Sequence, residues 1–237
     1  MKKALNCILV CCMILFVSCK KDNVFNVSCI GDSVTFGWTL ENPEEQSYPA
    51  LLNSSLNMMI QITKAFSNEE ATETGTEINV RNFGVCGATL GHSCDMPYIK
   101  EQAYQDALAS DPDLVIMMLG TNDSKPQNRI YKEEFKQDLD NLVASFRKLK
   151  SKPAIILMTP PHAFSQGWGI NDSVLTADIR PIIQEYASEN SIELIRLDSA
   201  TQNHPEYFSD GIHPNLEGQM LISKCVMGSI LVHANIQ

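Results

Sequence analysis

Five short runs of apolar or β-branched residues punctuate the chain: Val27–Ile30, Ile78–Phe83, Leu114–Leu119, Ala154–Met158 and Glu193–Leu197. Most are apolar without a break, which leaves neither row of side chains for water. That pattern suits a parallel sheet covered on both faces. Between the runs lie segments of helical length. The clearest is Tyr131 to Lys150, where Phe135, Leu139, Leu142, Val143, Phe146 and Leu149 recur at helical spacing and the Lys and Glu residues form a solvated face. Further helices are expected over Ser47–Ile62, Glu101–Ser110, Asp172–Asn190 and Asn215–Val232. Strand and helix alternate throughout, so the pattern predicts an α/β chain, a three-layer α/β/α sandwich on a five-stranded parallel sheet.

The first residues follow a different rule. Lys2 and Lys3 precede an apolar run from Cys7 to Val17, and Phe16-Val17-Ser18-Cys19 follows. A basic start, a short apolar core and a small residue before the cut describe a secretory signal. The run is shorter than the roughly 20 apolar residues a spanning helix needs. The pattern also resembles a bacterial lipoprotein signal, with Cys19 as the lipidated first residue and Phe16 where Leu is usual. The expected organisation is a signal over 1–18, a polar tether over 19–25 and one domain over 26–237. The expected location is an exported chain held to a bacterial membrane through Cys19.

Charge narrows the partners. The formal net charge is −10, and loss of Lys2 and Lys3 with the leader takes it to −12. An acidic chain without a basic cluster repels phosphate backbones, which argues against nucleic acid. Of eight cysteines, Cys7, Cys11 and Cys12 leave with the leader, and Cys19 is the lipidation candidate. Cys29, Cys86, Cys94 and Cys225 lack the paired spacing of a zinc site, so neither metal nor cofactor is expected. An oxidising compartment permits a Cys86–Cys94 disulfide, but the reading preferred is four free thiols, with Cys29 and Cys225 buried as small apolar residues. The Glu- and Thr-rich stretch from Ser67 to Thr76 is expected to be an exposed connection.

Four polar motifs then fall at corresponding places. Gly31-Asp32-Ser33-Val34-Thr35-Phe36-Gly37 follows the first strand, Gly84-Val85-Cys86-Gly87 the second, and Gly120-Thr121-Asn122-Asp123 the third. Asp210-Gly211-Ile212-His213-Pro214 follows the last. Each lies past the carboxyl end of a strand, where open α/β sheets bind ligands. A serine on the first turn and an acid and base three residues apart are the parts of a serine hydrolase. Asp32 and Asp123 suit turn stabilisation, since a short carboxylate can accept nearby backbone N–H groups. His92, His162, His204 and His233 have no carboxylate in such a motif and are expected at the surface or in structural roles, with His162 a possible rim residue.

Taken together, these motifs resemble the SGNH (GDSL-like) hydrolase family over about Asn26 to Val232. Its four signature positions fall on Ser33, Gly87, Asn122 and His213. The resemblance implies a flavodoxin-like fold and ester hydrolysis through an acyl-enzyme. Two features depart from common versions: Cys86 replaces a small polar residue before Gly87, and no long lid insertion is visible. On chemical grounds His213 is the base for Ser33, Asp210 orients it, and the backbone N–H groups of Ser33 and Gly87 with the Asn122 amide can hold an oxyanion.

Trp38 follows the serine loop and Trp168 stands between Gly167 and Gly169, so either can be a platform for a sugar ring or a cap on the core. The stretch from Gly31 to Tyr48, together with Gly120 to Pro126, looks like the carbohydrate acetylesterase and sialate O-acetylesterase-like branch. That likeness implies removal of O-acetyl groups from glycans. Alternatives on the same fold are a lysophospholipase or short-chain thioesterase, and a glycan O-acetyltransferase. A non-catalytic glycan-binding lipoprotein is the reading from another class.

Overall fold

The computed structural model describes residues 24–66, 77–129 and 132–234. The leader, Cys19, the tether as far as Asn23 and the Ser67–Thr76 connection lie outside the described residues. Five strands form one sheet: β1 (Val24–Gly31), β2 (Glu77–Gly84), β3 (Leu114–Met118), β4 (Ala154–Met158) and β5 (Glu193–Ile195). They run in the order β2-β1-β3-β4-β5 and every pair is parallel. The tether was expected to reach Phe25, but Val24 and Phe25 belong to β1, opposite Glu77 and Ile78. Packing of Phe25 against the core beneath the sheet draws those two residues into the strand.

The helices are α1 (Ser33–Phe36), α2 (Pro43–Gln46), α3 (Tyr48–Phe66), α4 (Gln102–Ala109), α5 (Lys132–Arg147), α6 (Asp172–Val174), α7 (Arg180–Glu189), α8 (Leu197–Thr201) and α9 (Leu216–His233). Successive residues of β3 face opposite layers. Val115 and Met117 pack with α4, α5 and α7, whereas Leu114, Ile116 and Met118 pack with α3 and α9. All five residues of β3 are buried, as a central strand with both faces covered requires. On α5 the expected stripe is in place, with Phe135, Leu139, Leu142, Val143 and Phe146 buried.

Two boundaries differ from the sequence pattern. The apolar run from Glu193 stops pairing at Ile195, because Leu197 turns inward to start α8 against the α9 side of the core. The segment from Asp172 is not one regular helix. A π turn over Leu175–Ile179, with the Arg180 N–H reaching back to the Leu175 carbonyl, separates α6 from α7. Pro181 has no N–H to donate back to Ala177, and the wider turn accommodates that missing bond.

The strand order fixes where a ligand can sit. From β1 the chain passes to β2 on one side, and β3 then pairs on the other. The loops leaving β1 and β3 therefore diverge and open a crevice at the carboxyl edge between them.

Candidate active site

Ser33 is the first residue of α1, a helix too short to be stable alone. Four neighbours hold it. Asp32 caps it by accepting the Val34 N–H at 2.9 Å, and Gly37 closes it in the left-handed region (φ 90°). From β2, Asn82 donates to the Thr35 carbonyl at 2.8 Å. From α9, the buried Gln219 donates to the Val34 carbonyl at 3.1 Å and accepts the Tyr48 N–H at 2.8 Å. Gly84 ends β2, where a Cβ would collide with the Phe36 backbone. Its missing side chain lets the sheet and α1 touch. As the first residue of a helix, Ser33 has an N–H without an intrahelical partner.

The imidazole beside Ser33 arrives from the other end of the chain. His213 Nε2 lies 3.0 Å from Ser33 Oγ, and His213 Nδ1 lies 2.7 Å from Asp210 Oδ2. The other Asp210 oxygen accepts the Ile212 N–H at 2.9 Å and the His213 N–H at 2.7 Å. Partial burial pushes this carboxyl up, but bonds from the His213 ring and the two backbone N–H groups outweigh it and hold it at about 2. Asp210 therefore stays ionised at neutral pH. With Nδ1 donating to it, Nε2 is the acceptor that faces the serine.

Across the crevice, Gly87 takes a φ of 84°, a conformation that favours glycine. Asn122 is buried after β3 and donates one amide hydrogen to the Ala88 carbonyl at 3.0 Å, which fixes its side chain beside Gly87. Asp123 secures the same loop, its two oxygens accepting the Leu90 and Gly91 N–H groups at 3.0 and 2.8 Å. Burial pushes the Asp123 carboxyl up to about 6, opposed by those two N–H groups. Asp32 is also pushed up by burial, opposed by the Val34 N–H. Asp32 thus stabilises its own turn as the sequence suggested, whereas Asp123 ties down a loop more than 30 residues away.

These elements enclose a cavity of about 210 Å³ lined by Ser33, Gly87, Asn122 and His213 together with Trp38 and Trp168. Cys86, Ile170 and Ile212 make part of its wall apolar. Burial pushes the Cys86 thiol up to about 11, helped by the nearby Asp32, so at neutral pH it is a wall and not a nucleophile. A model of the GDSL-like Lipase/Acylhydrolase family matches residues 29–221, from β1 to the second turn of α9. The chain belongs to that family.

Relatives of this family member include two acetylxylan esterases. One, from Xylanibacter ruminicola, is 36% identical over 228 residues, and the match takes in 89% of this chain but 44% of that protein. The chain thus spans less than half the length of that relative. The other, from Geobacillus stearothermophilus, is 25% identical over 219 residues, covering 85% of this chain and 91% of that protein. Among solved structures, a lipase/acylhydrolase from Enterococcus faecalis superposes with a TM-score of 0.65 at 22% identity, over 87% of this chain and 95% of that one. That likeness shows the fold.

Other expectations meet the structure less evenly. Cys29, Cys86, Cys94 and Cys225 are all free thiols. Cys94 is buried and donates to the Asn128 carbonyl at 3.3 Å, so it is committed elsewhere than to Cys86. The four histidines outside the site lie at or near the surface, as expected, and each has a carboxylate partner there: His92 with Asp138, His162 with Asp172, His204 with Glu206 and His233 with Glu193. Only the His204 pair is close in sequence; folding creates the others from distant segments. Folding also brings His92, Glu134 and Asp138 within 4.8 Å of one another, a grouping no sequence spacing announces. Among the described residues, no helix is long and apolar enough to cross a membrane.

Proposed function

We propose that this family member is a serine esterase that removes O-acetyl groups from carbohydrates. The observation that carries the reading is the line from Asp210 through His213 to Ser33 Oγ, with spacings of 2.7 and 3.0 Å, inside a cavity that Trp38 and Trp168 border. Ser33 attacks the acetyl carbonyl as His213 Nε2 takes its proton. The N–H groups of Ser33 and Gly87 and the free amide hydrogen of Asn122 receive the oxyanion. Collapse expels the sugar hydroxyl, protonated by His213, and leaves acetyl on Ser33. Water, activated by the same imidazole, then releases acetate and restores the serine.

A small acyl group matches the space. A long chain needs an extended apolar channel in which each buried methylene contributes about 0.8 kcal/mol, and the apolar wall here belongs to a cavity of only about 210 Å³. The two exposed tryptophans on its border suit the flat apolar face of a sugar ring. The acetylxylan esterase relatives support the same substrate class. Export and lipidation at Cys19 complete the proposal, supported by Lys2, Lys3 and the apolar run from Cys7 to Val17.

The test is hydrolysis of 4-nitrophenyl acetate, butyrate and octanoate by residues 20–237, followed by acetate release from acetylated xylan. The expected result is a rate highest on acetate, absent in Ser33→Ala, with acetate freed from the polysaccharide. Preference for octanoate would move the function to lipid or long-chain substrates. Binding of the polysaccharide without acetate release would make the chain a binding protein.

A further inference from the structure

Three hydrogen bonds join the loop after β4 to the turn that carries the acid and the base. The Phe164 N–H donates to the Gly211 carbonyl at 2.7 Å, and Ser165 Oγ donates to the Asp210 carbonyl at 2.8 Å. The third comes from the indole: Trp168 Nε1 donates to Asp210 Oδ2 at 3.3 Å. This is the oxygen that also receives His213 Nδ1. The Trp168 ring stands edge-on to the His213 ring, with centroids 6.3 Å apart and planes at 75°.

The backbone at this point is unusual for so large a side chain. Trp168 has φ 59° and ψ 12°, in the left-handed region that bulky residues rarely occupy. Neighbouring bonds keep it there: Gly167 N–H to Ser165 Oγ at 3.2 Å and Ile170 N–H to the Gly167 carbonyl at 3.1 Å. Trp168 is 64% exposed, so burial of the indole does not account for this conformation.

We infer that Trp168 is a positioning residue of the ester-cleaving site, its indole N–H completing the set of donors that fixes the Asp210 carboxylate against His213. This deepens the hydrolase reading and rests on it. A carboxylate offers about four acceptor positions. Here Oδ1 takes the Ile212 and His213 N–H groups, and Oδ2 takes His213 Nδ1 and Trp168 Nε1. With every position filled the carboxylate cannot rock, and the imidazole bound to it is held in line with Ser33 Oγ. The indole N–H also draws on the same oxygen's charge. Its removal leaves more of that charge to the imidazolium, which makes the base easier to protonate.

Trp168→Phe isolates the bond, since it keeps an aromatic face and loses the donor. On 4-nitrophenyl acetate, kcat is expected to fall about 3- to 10-fold with KM little changed, as for loss of one ordinary, solvent-exposed hydrogen bond. The acid limb of kcat/KM should move upward by roughly 0.3–0.5 pH units. By proton NMR, the downfield resonance of the His213–Asp210 hydrogen bond should shift in the variant. Wild-type kcat, pH profile and NMR signal in Trp168→Phe would overturn the inference while an inactive Ser33→Ala left the esterase reading standing. An active Ser33→Ala would overturn both.

Discussion

Two histidine–aspartate pairs in this molecule have nearly the same contact and inverted surroundings. In His213–Asp210, at 2.7 Å, the imidazole is 7% exposed and the carboxylate 31%. In His92–Asp138, at 2.9 Å, the imidazole is 53% exposed and the carboxylate 8%. The buried partner reveals the use. The buried imidazole has its second nitrogen 3.0 Å from Ser33 Oγ, where in the proposed mechanism it takes the serine's proton. A buried carboxylate that accepts both the His92 ring and the His92 backbone N–H pins the loop after Gly87 onto α5, while the imidazole faces water. The bond alone makes neither a catalyst nor a clamp; what lies beyond the second nitrogen decides.

The sharpest way to break this comparison is to remove each imidazole. His213→Ala should lower kcat/KM on 4-nitrophenyl acetate by on the order of 10⁶, as loss of a triad histidine does in a serine hydrolase. His92→Ala should stay within about threefold of wild type, as expected for an exposed side chain that does not line the site. Equal losses in the two variants would erase the distinction. The next largest effect belongs to the oxyanion side. Asn122→Ala removes an amide that the Ala88 carbonyl already aims, and kcat should fall about 10²–10³-fold with a smaller change in KM. Asp138→Asn, which loosens the same loop from its far end, should leave kcat within a few fold. A comparable loss there would mean that the loop's stiffness, and not the Asn122 donor, carries the rate.

Much of this was legible before any coordinates. The strands and long helices follow from apolar runs and helical spacing, and the signals were strong because each element is buried on a well-defined face. Ser33, Asp210, His213, Gly87 and Asn122 stand out because each sits in a short polar motif just past a strand. What stayed hidden depends on contacts between distant segments. Gln219 lies 185 residues from the Val34 carbonyl it supports. Asn82 reads as an ordinary strand residue until α1 packs over it. The α1 helix itself is four residues long, below the length at which periodicity says anything. Trp168 was visible as an aromatic between two glycines, but its bond to Asp210 spans 42 residues and depends on a left-handed backbone. The His92 clamp is hidden for the same reason, since loop 88–97 and α5 meet only in the fold.

The smallest effect is also the one that tests the inverted burial most directly, because the two pairs should stabilise the fold in opposite pH windows. The Asp210 carboxyl is held at about 2 against an ordinary 3.8, so its bonds add stability above about pH 4 and lose it as pH falls toward 2. The His92 imidazole is raised above its ordinary 6.5, first by its bond to Asp138 and then by that residue's charge. A raised base contributes fully below pH 6.5, and its contribution fades as pH climbs through the folded value. Urea midpoints measured for wild type, Asp210→Asn and His92→Ala across pH 3–9 should therefore diverge in a set way. The gap for Asp210→Asn should narrow at the acid end and hold through neutrality. That for His92→Ala should be widest at acid and neutral pH and close toward pH 9. A His92→Ala gap that stayed constant to pH 9 would mean the loop is held by packing and the backbone bond to Asp138, with the imidazole charge contributing nothing. The two pairs would then differ in kind, one electrostatic and one steric, and not only in which partner is buried.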